Sequence, residues 1–394
     1  MPKPGPFRAA AAHIDGLDSL RGIAALLVVF HHVWLLGAMR PGVWEWRLLH
    51  YSPLRMIVEG RPPVILFFVL SGFVLAHALL HRPTAYKDFA IRRFARIYPP
   101  FAVAILVSAA GYALLDPGTP RPFSAWFGSL WQDGHGLPTV LDRLLMPGSR
   151  RDDLDPVVWS LVHELRISLL LPALLWVGRR NWTVLLVGSL IVQWLATPFG
   201  VDAATSAACR SWLSCRPYWG ASFGGSLLVS ASFVAFFVLG IGIAVHRERL
   251  GGWLAGSPGW TAPVLLAASL GLLSGLPADG DLAFGAGAAL LIVLVLEARG
   301  FAWVLGAAPL RWLGRISYSL YLIHLPVFLA VIYGVTAVPA GLRVAMLVPL
   351  SLLAAGLFHR AVEAPAQACG RLLTAPRGRS AQASDARPRA SARA

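Results

Sequence analysis

The sequence predicts an all-α, polytopic membrane protein: a bundle of about ten transmembrane helices with both termini on the cytoplasmic side. Three observations lead there. Of the 394 residues, 57% are hydrophobic and only 13% charged, far from the balance of a soluble domain. Apolar runs of the roughly 17–25 residues needed to cross about 30 Å of hydrocarbon recur along the chain. The basic residues are also uneven: with both termini inside, 22 of the 34 Lys and Arg fall on that side, 11 opposite and one, Arg166, within a span. That is the positive-inside bias. The net charge of +15 would by itself suit a nucleic-acid partner. The runs between the basic clusters are too long and too apolar for that class, so lipid is expected and nucleic acid is not.

Residues 1–16 read as a polar cytoplasmic leader, without the apolar core and small-residue cleavage site of a removed signal. The first span, near 20–39, carries Arg21, His31 and His32. The second, near 62–80, holds small Ser71 and Gly72, which let helices approach closely. The third, near 99–115, follows the basic cluster "RRFARIYPP". The loop 116–155 is rich in Pro, Gly and Asp, and its amphipathic piece "FSAWFGSLW" suits an interfacial lid. Spans four and five lie near 156–177, with Glu164 and Arg166, and near 182–198. Cys209 and Cys215 share the outer loop that follows, where an oxidising compartment permits a disulfide but spacing alone does not fix one. Span six lies near 226–246. Spans seven and eight, near 260–276 and 282–297, are the weakest, separated only by "SGLPADGD". Spans nine and ten follow near 316–335 and 341–360. The membrane domain therefore covers 17–371, and the Ala, Arg, Ser and Pro of 372–394 form a basic tail expected to stay disordered beside anionic headgroups. No repeat of 20–50 residues and no cysteine array is present, so neither a repeat-built transporter nor a metal site is indicated.

Charges inside spans are costly: Glu164 and Arg166 facing lipid would together cost roughly 5–7 kcal/mol on insertion scales, so both are placed toward the bundle interior or water. Arg21 and His32 are eleven positions apart, which puts them about 20° apart around a helix and about 16 Å apart along it. They share a face that suits an extended ligand, charged at one end and reactive at the other. Counting from the expected span ends, His32, Glu164 and Ser71 converge about 12–14 Å below the outer edge of the hydrocarbon.

The chain resembles acyltransferase family 3, membrane proteins that O-acylate sugars and other hydroxyl compounds. The resemblance rests on motifs in order between about 17 and 371: "LDSLRGIAALLVVFHH", "FFVLSGFVL", "FAIRRFARIYPPF", "WSLVHELRISLLLP", "LGRISYSLYLIHLP" and "VEAPAQACGR". It implies a ten-helix domain in the bacterial inner membrane that takes an acyl group, acetyl in the expected case, from cytoplasmic acyl-CoA and delivers it to a carbohydrate or other hydroxyl acceptor. It also implies that His32 is the essential histidine. A buried imidazole can remove a hydroxyl proton or carry the acyl group transiently. Glu164 is expected to orient His32, or else to form a structural pair with another span. Arg21 with Arg92, Arg93 and Arg96 would grip the donor's phosphates, against the plainer reading of positive-inside anchoring. Tyr318, Tyr321 and His324 either line the cavity or pack. Two departures stand out: Ile65 occupies the place of a common acid, and no extramembrane transferase domain is expected. The competing reading is a transporter or flippase of a lipid-linked or small anionic solute. Acyl length, acceptor, the base or carrier role of His32 and formation of a homo-oligomer stay open.

Overall fold

The computed structural model describes residues 6–37, 42–115, 124–131, 136–148, 153–200, 218–276, 280–298 and 300–375. Among them every regular element is helical. Seven helical stretches are long and apolar enough to cross a bilayer: Gly16–Leu35, Arg61–His81, Tyr86–Leu115, Pro156–Ala196, Phe223–Gly256, Ala308–Gly334 and Ala340–Leu373. The chain is thus a multi-pass membrane protein.

The sequence reading counts about ten spans, and the difference has local causes. We label α1 (Pro6–Leu35), α2 (Val43–His50), α3 (Arg55–Val58), α4 (Arg61–His81), α5 (Tyr86–Leu115), α6 (Ala125–Gly128), α7 (Leu137–Leu144) and α8 (Trp159–Gly200). The runs 156–177 and 182–198 are merged in α8 and divided only by Asn181, at φ −153° and ψ 93°. The Asn181 side chain accepts from the Val184 amide at 3.0 Å, capping a new helix, and Leu185 returns against Gly178. After α9 (Phe223–Ser232) and α10 (Val234–Gly256) come α11 (Thr261–Leu273) and α12 (Asp281–Glu297). These two are 13 and 17 residues long, short for a perpendicular crossing. The rest are α13 (Phe301–Leu305), α14 (Ala308–Gly334), α15 (Ala340–Phe358), a π-helical turn at His359–Glu363 and α16 (Ala364–Leu373).

Two boundaries move. The backbone is already helical from Pro6, so the expected leader continues into α1. The third span begins at Tyr86, which places Arg92, Arg93 and Arg96 on α5 itself, ahead of Pro99 and Pro100. The Cys209–Cys215 pair and the tail beyond 375 lie outside the described residues.

Close packing sets the geometry. α1 and α14 run side by side in the same direction. Ser19 Oγ donates to the Leu305 carbonyl at 2.7 Å at one end, and His32 meets His324 at 3.1 Å toward the other. Glycine allows this contact: a Cβ on Gly22 would lie 2.6 Å from the Gly314 nitrogen, and one on Gly314 would collide with the Asp18 carbonyl. α4 and α10 meet the same way, with Gly72 against the Phe237 carbonyl and Gly240 against that of Val69. Such small-residue contacts suit an environment where lipid is as apolar as Leu. Phe68, Phe73, Phe233, Phe236 and Phe237 fill the core between them.

Candidate active site

Two cavities lie back to back within the bundle, sharing Val64 and Tyr321 as common wall. The inner one is narrow, about 50 Å³, room for a few waters. Arg21 of α1, Ser71 of α4, Arg96 of α5, Ser160 and Glu164 of α8 and Tyr318 of α14 line it. The outer one is about 310 Å³ and holds His31, His32, Arg61, Trp126, Trp159 and Tyr218. Arg21 and His32 therefore open onto neighbouring spaces from one helix.

His32 is 8% exposed. Its Nδ1 is 2.8 Å from the Val28 carbonyl and 3.1 Å from His324 Nε2. A carbonyl only accepts, so Nδ1 carries the proton, and in the neutral ring Nε2 keeps the lone pair. The same reasoning holds for His324, fully buried, whose Nδ1 lies 3.0 Å from the Leu320 carbonyl. Its Nε2 is then an acceptor aimed at the His32 Nδ1–H. The pair fixes the plane and tautomer of His32 and leaves Nε2 on a ring that lines the outer cavity.

Trp126 of α6 stacks obliquely on His32, ring centroids 5.4 Å apart. Ser124, which caps α6, holds it down: its amide donates to the Leu36 carbonyl at 2.9 Å and its hydroxyl donates to that of Leu35. The amphipathic piece expected to act as a lid thus sits directly over the imidazole. His31 Nδ1 donates to the Val58 carbonyl at 2.7 Å and turns to another side of α1.

Glu164 is not brought to His32. Its Oε1 accepts from Ser71 Oγ at 2.9 Å and from Arg93 Nη2 at 3.1 Å, and the carboxylate lines the inner cavity. The basic cluster separates by helix face. Arg96 reaches the inner cavity beside Arg21. Arg93 pairs with Glu164. Arg92 points to α16, donating from Nε to Thr374 Oγ1 at 2.7 Å. Arg166 serves as a clamp, donating to Ser226 Oγ at 2.7 Å and to the Pro147 carbonyl at 2.9 Å.

Sequence reasoning passed over Arg61, which reads there as an outer-loop charge. It is 2% exposed and forms a forked pair with Asp281 on α12, Nε at 3.0 Å and Nη2 at 2.6 Å. Trp159, Tyr218 and Phe233 surround its guanidinium at 4.6–5.1 Å, a cation–π setting. Tyr321, in the wall between the cavities, donates to the Val157 carbonyl at 2.9 Å and accepts from Ser160 at 2.7 Å. Among the described residues no cluster of His, Cys, Asp and Glu is arranged to hold a metal.

Comparison with known proteins matches residues 14–360 to the model of an acyltransferase domain, Acyl_transf_3. The chain is similar to the peptidoglycan O-acetyltransferase OatA of Listeria monocytogenes, 24% identical over 355 residues, covering 81% of this chain and 50% of that protein. It is similar to the O-acetyltransferase PaAT-1 of Phomopsis amygdali, 26% identical over 375 residues, 79% of this chain and 71% of the relative. It also resembles Nodulation protein 10 of Rhizobium leguminosarum, 25% identical over 203 residues, 43% of this chain and 47% of the relative. The chain spans about half the length of OatA. No solved structure matches. With Arg21, His32, Glu164 and His324 all inside the matched span, the chain belongs to acyltransferase family 3.

Proposed function

We propose that the protein is an integral-membrane O-acyltransferase that moves an acyl group, acetyl in the simplest case, from cytoplasmic acyl-CoA to a hydroxyl of a carbohydrate acceptor on the opposite side of the bacterial inner membrane. One observation carries this reading: a cationic cavity and an aromatic, histidine-bearing cavity lie on either side of a wall made by Val64 and Tyr321. Arg21 and Arg96 would hold donor phosphates at the inner cavity, as guanidinium forks do. Arg93 pairs with Glu164, which supports a role for that pair in shaping the inner cavity, and the bond of Arg92 to Thr374 supports a role in tying α5 to α16. Trp126, Trp159 and Tyr218 offer flat apolar faces to a sugar ring, with Arg61 among them.

In the transfer itself, His32 Nε2 takes the proton of the acceptor hydroxyl as its oxygen attacks the thioester carbonyl. The new C–O bond forms, the C–S bond breaks, and the leaving thiolate receives the proton. In the carrier variant Nε2 attacks the thioester first, the C–S bond breaks and the thiolate leaves. The hydroxyl oxygen then attacks the acyl group on the ring, the N–C bond breaks, and the hydroxyl proton passes to the thiolate. His324 is a positioning residue in either route, because it fixes which His32 nitrogen is free.

The test is to offer detergent-purified protein acetyl-CoA labelled in the acetyl group together with an oligosaccharide acceptor. Covalent label on the saccharide is the expected result. Counterflow of unreacted solute in vesicles, with no label transferred, would favour the transporter or flippase instead.

A further inference from the structure

Away from both cavities, a groove opens where the start of α14 faces the end of α15 and the π-helical turn. Trp312 and Arg315 come from α14, Leu353 and Leu357 from α15, and His359 and Arg360 from the turn. Leu353 and Leu357 are 61% and 58% exposed, as side chains facing acyl chains are. Arg315 and Arg360 are exposed as well. Neither forms a hydrogen bond or ion pair with another described side chain, and no acidic residue lines the groove. The acid of the turn, Glu363, is buried and taken up by Ser319 at 2.6 Å, His359 at 2.9 Å and Gln367 at 2.9 Å. Trp312 also lines the groove, and tryptophan is a residue type enriched where membrane helices meet headgroups. Two guanidinium groups without an acidic partner among the described residues, in one groove with exposed leucines, match the two halves of one kind of molecule.

We infer that this groove binds one anionic phospholipid, its phosphate between Arg315 and Arg360 and an acyl chain along Leu353 and Leu357. Basic pockets between membrane helices recognise headgroup phosphates in this manner. The site has a mechanical consequence. Arg315 and Ile316 face the groove, whereas the next two residues, Ser317 and Tyr318, line the inner cavity. A lipid held here braces the turn of α14 whose other face walls that cavity. Ser319, one residue further on, ties the same turn to the π-helical segment through Glu363, and π-helical turns concentrate at functional sites.

Lipid retention is independent of acyl transfer, so this inference stands or falls separately from the proposed activity. The full chain is purified in detergent, incubated with phosphatidylglycerol, phosphatidylcholine or inorganic phosphate, and examined by native mass spectrometry. The wild type is expected to keep phosphatidylglycerol in preference to phosphatidylcholine. R315Q and R360Q should each weaken retention about fivefold and the double variant about thirtyfold, R315K/R360K should recover most of it, and R249Q, an exposed arginine of α10, should change nothing. The inference is overturned if the double variant retains phosphatidylglycerol as well as the wild type, if phosphatidylcholine binds equally, if R249Q has the same effect, or if inorganic phosphate displaces the lipid at equal concentration.

Discussion

His32 donates from Nδ1 to the Val28 carbonyl and lies against His324 Nε2, so its free nitrogen is set by two partners, one from its own helix and one from α14. Replacing His324 by Leu removes the second. Transfer is expected to fall at least tenfold in kcat, with KM for the donor little changed, because Arg21 and Arg96, the proposed donor contacts, line the other cavity. His324→Gln, which keeps an acceptor toward Nδ1, should restore part of the rate; equal loss in both variants, or a loss confined to KM, would remove the positioning role. Arg61 and Asp281 give a stability prediction. Asp281→Ala leaves a buried guanidinium without its carboxylate, a change of about 3–5 kcal/mol, read as a lowered melting temperature in detergent. The double change Arg61→Met with Asp281→Leu should recover much of it, and an unchanged melting temperature in Asp281→Ala would contradict the pairing. Arg21 and His32 were legible in the sequence because their eleven-residue spacing is a property of one helix. The partners of Glu164 and Arg61 were not, since Arg93 and Asp281 lie 71 and 220 positions away and pairing across helices leaves no periodic trace.

At the scale of elements, the site depends on how closely α1 and α14 run together. Gly22 and Gly314 let their backbones touch, and this brings His324 within reach of His32. Gly314→Leu must force the two helices apart because the obstacle is backbone, which cannot turn aside. Overpacking of this sort costs about 1–3 kcal/mol where side chains alone must move, so a larger loss is expected here, seen as reduced monodisperse yield and an earlier thermal transition. Normal yield and full activity would show that the contact is dispensable. Hydropathy marked α4 and α14 clearly, and the small pair Ser71 and Gly72 correctly announced a close contact. The start of α5 lies earlier than the apolar run because charge counts against hydropathy: the run near 99–115 follows the basic cluster, whereas the helix carries Arg92, Arg93 and Arg96 from Tyr86 onward. The piece around Trp126 was recognised as amphipathic, but only the fold shows that it covers His32.

For the whole molecule, apolar runs were easier to find than the way they are joined. Ten runs become seven long helical stretches, because the turn at Asn181 is tight enough to leave α8 without an intervening loop, and α11 and α12 are short. The arrangement that matters is still transverse. One end of α1 offers Arg21 to the inner cavity and the other offers His32 to the outer one, and the proposed transfer would bring a donor to the first and an acceptor to the second. The most direct test is transfer across a sealed vesicle, with labelled acetyl-CoA on one side, a saccharide on the other, and wild type compared with His32→Ala. The account predicts covalent label on the saccharide with the wild type and at least about a hundredfold less with His32→Ala at equal protein content. Equal transfer by the variant, or label crossing only as unreacted solute, would contradict it.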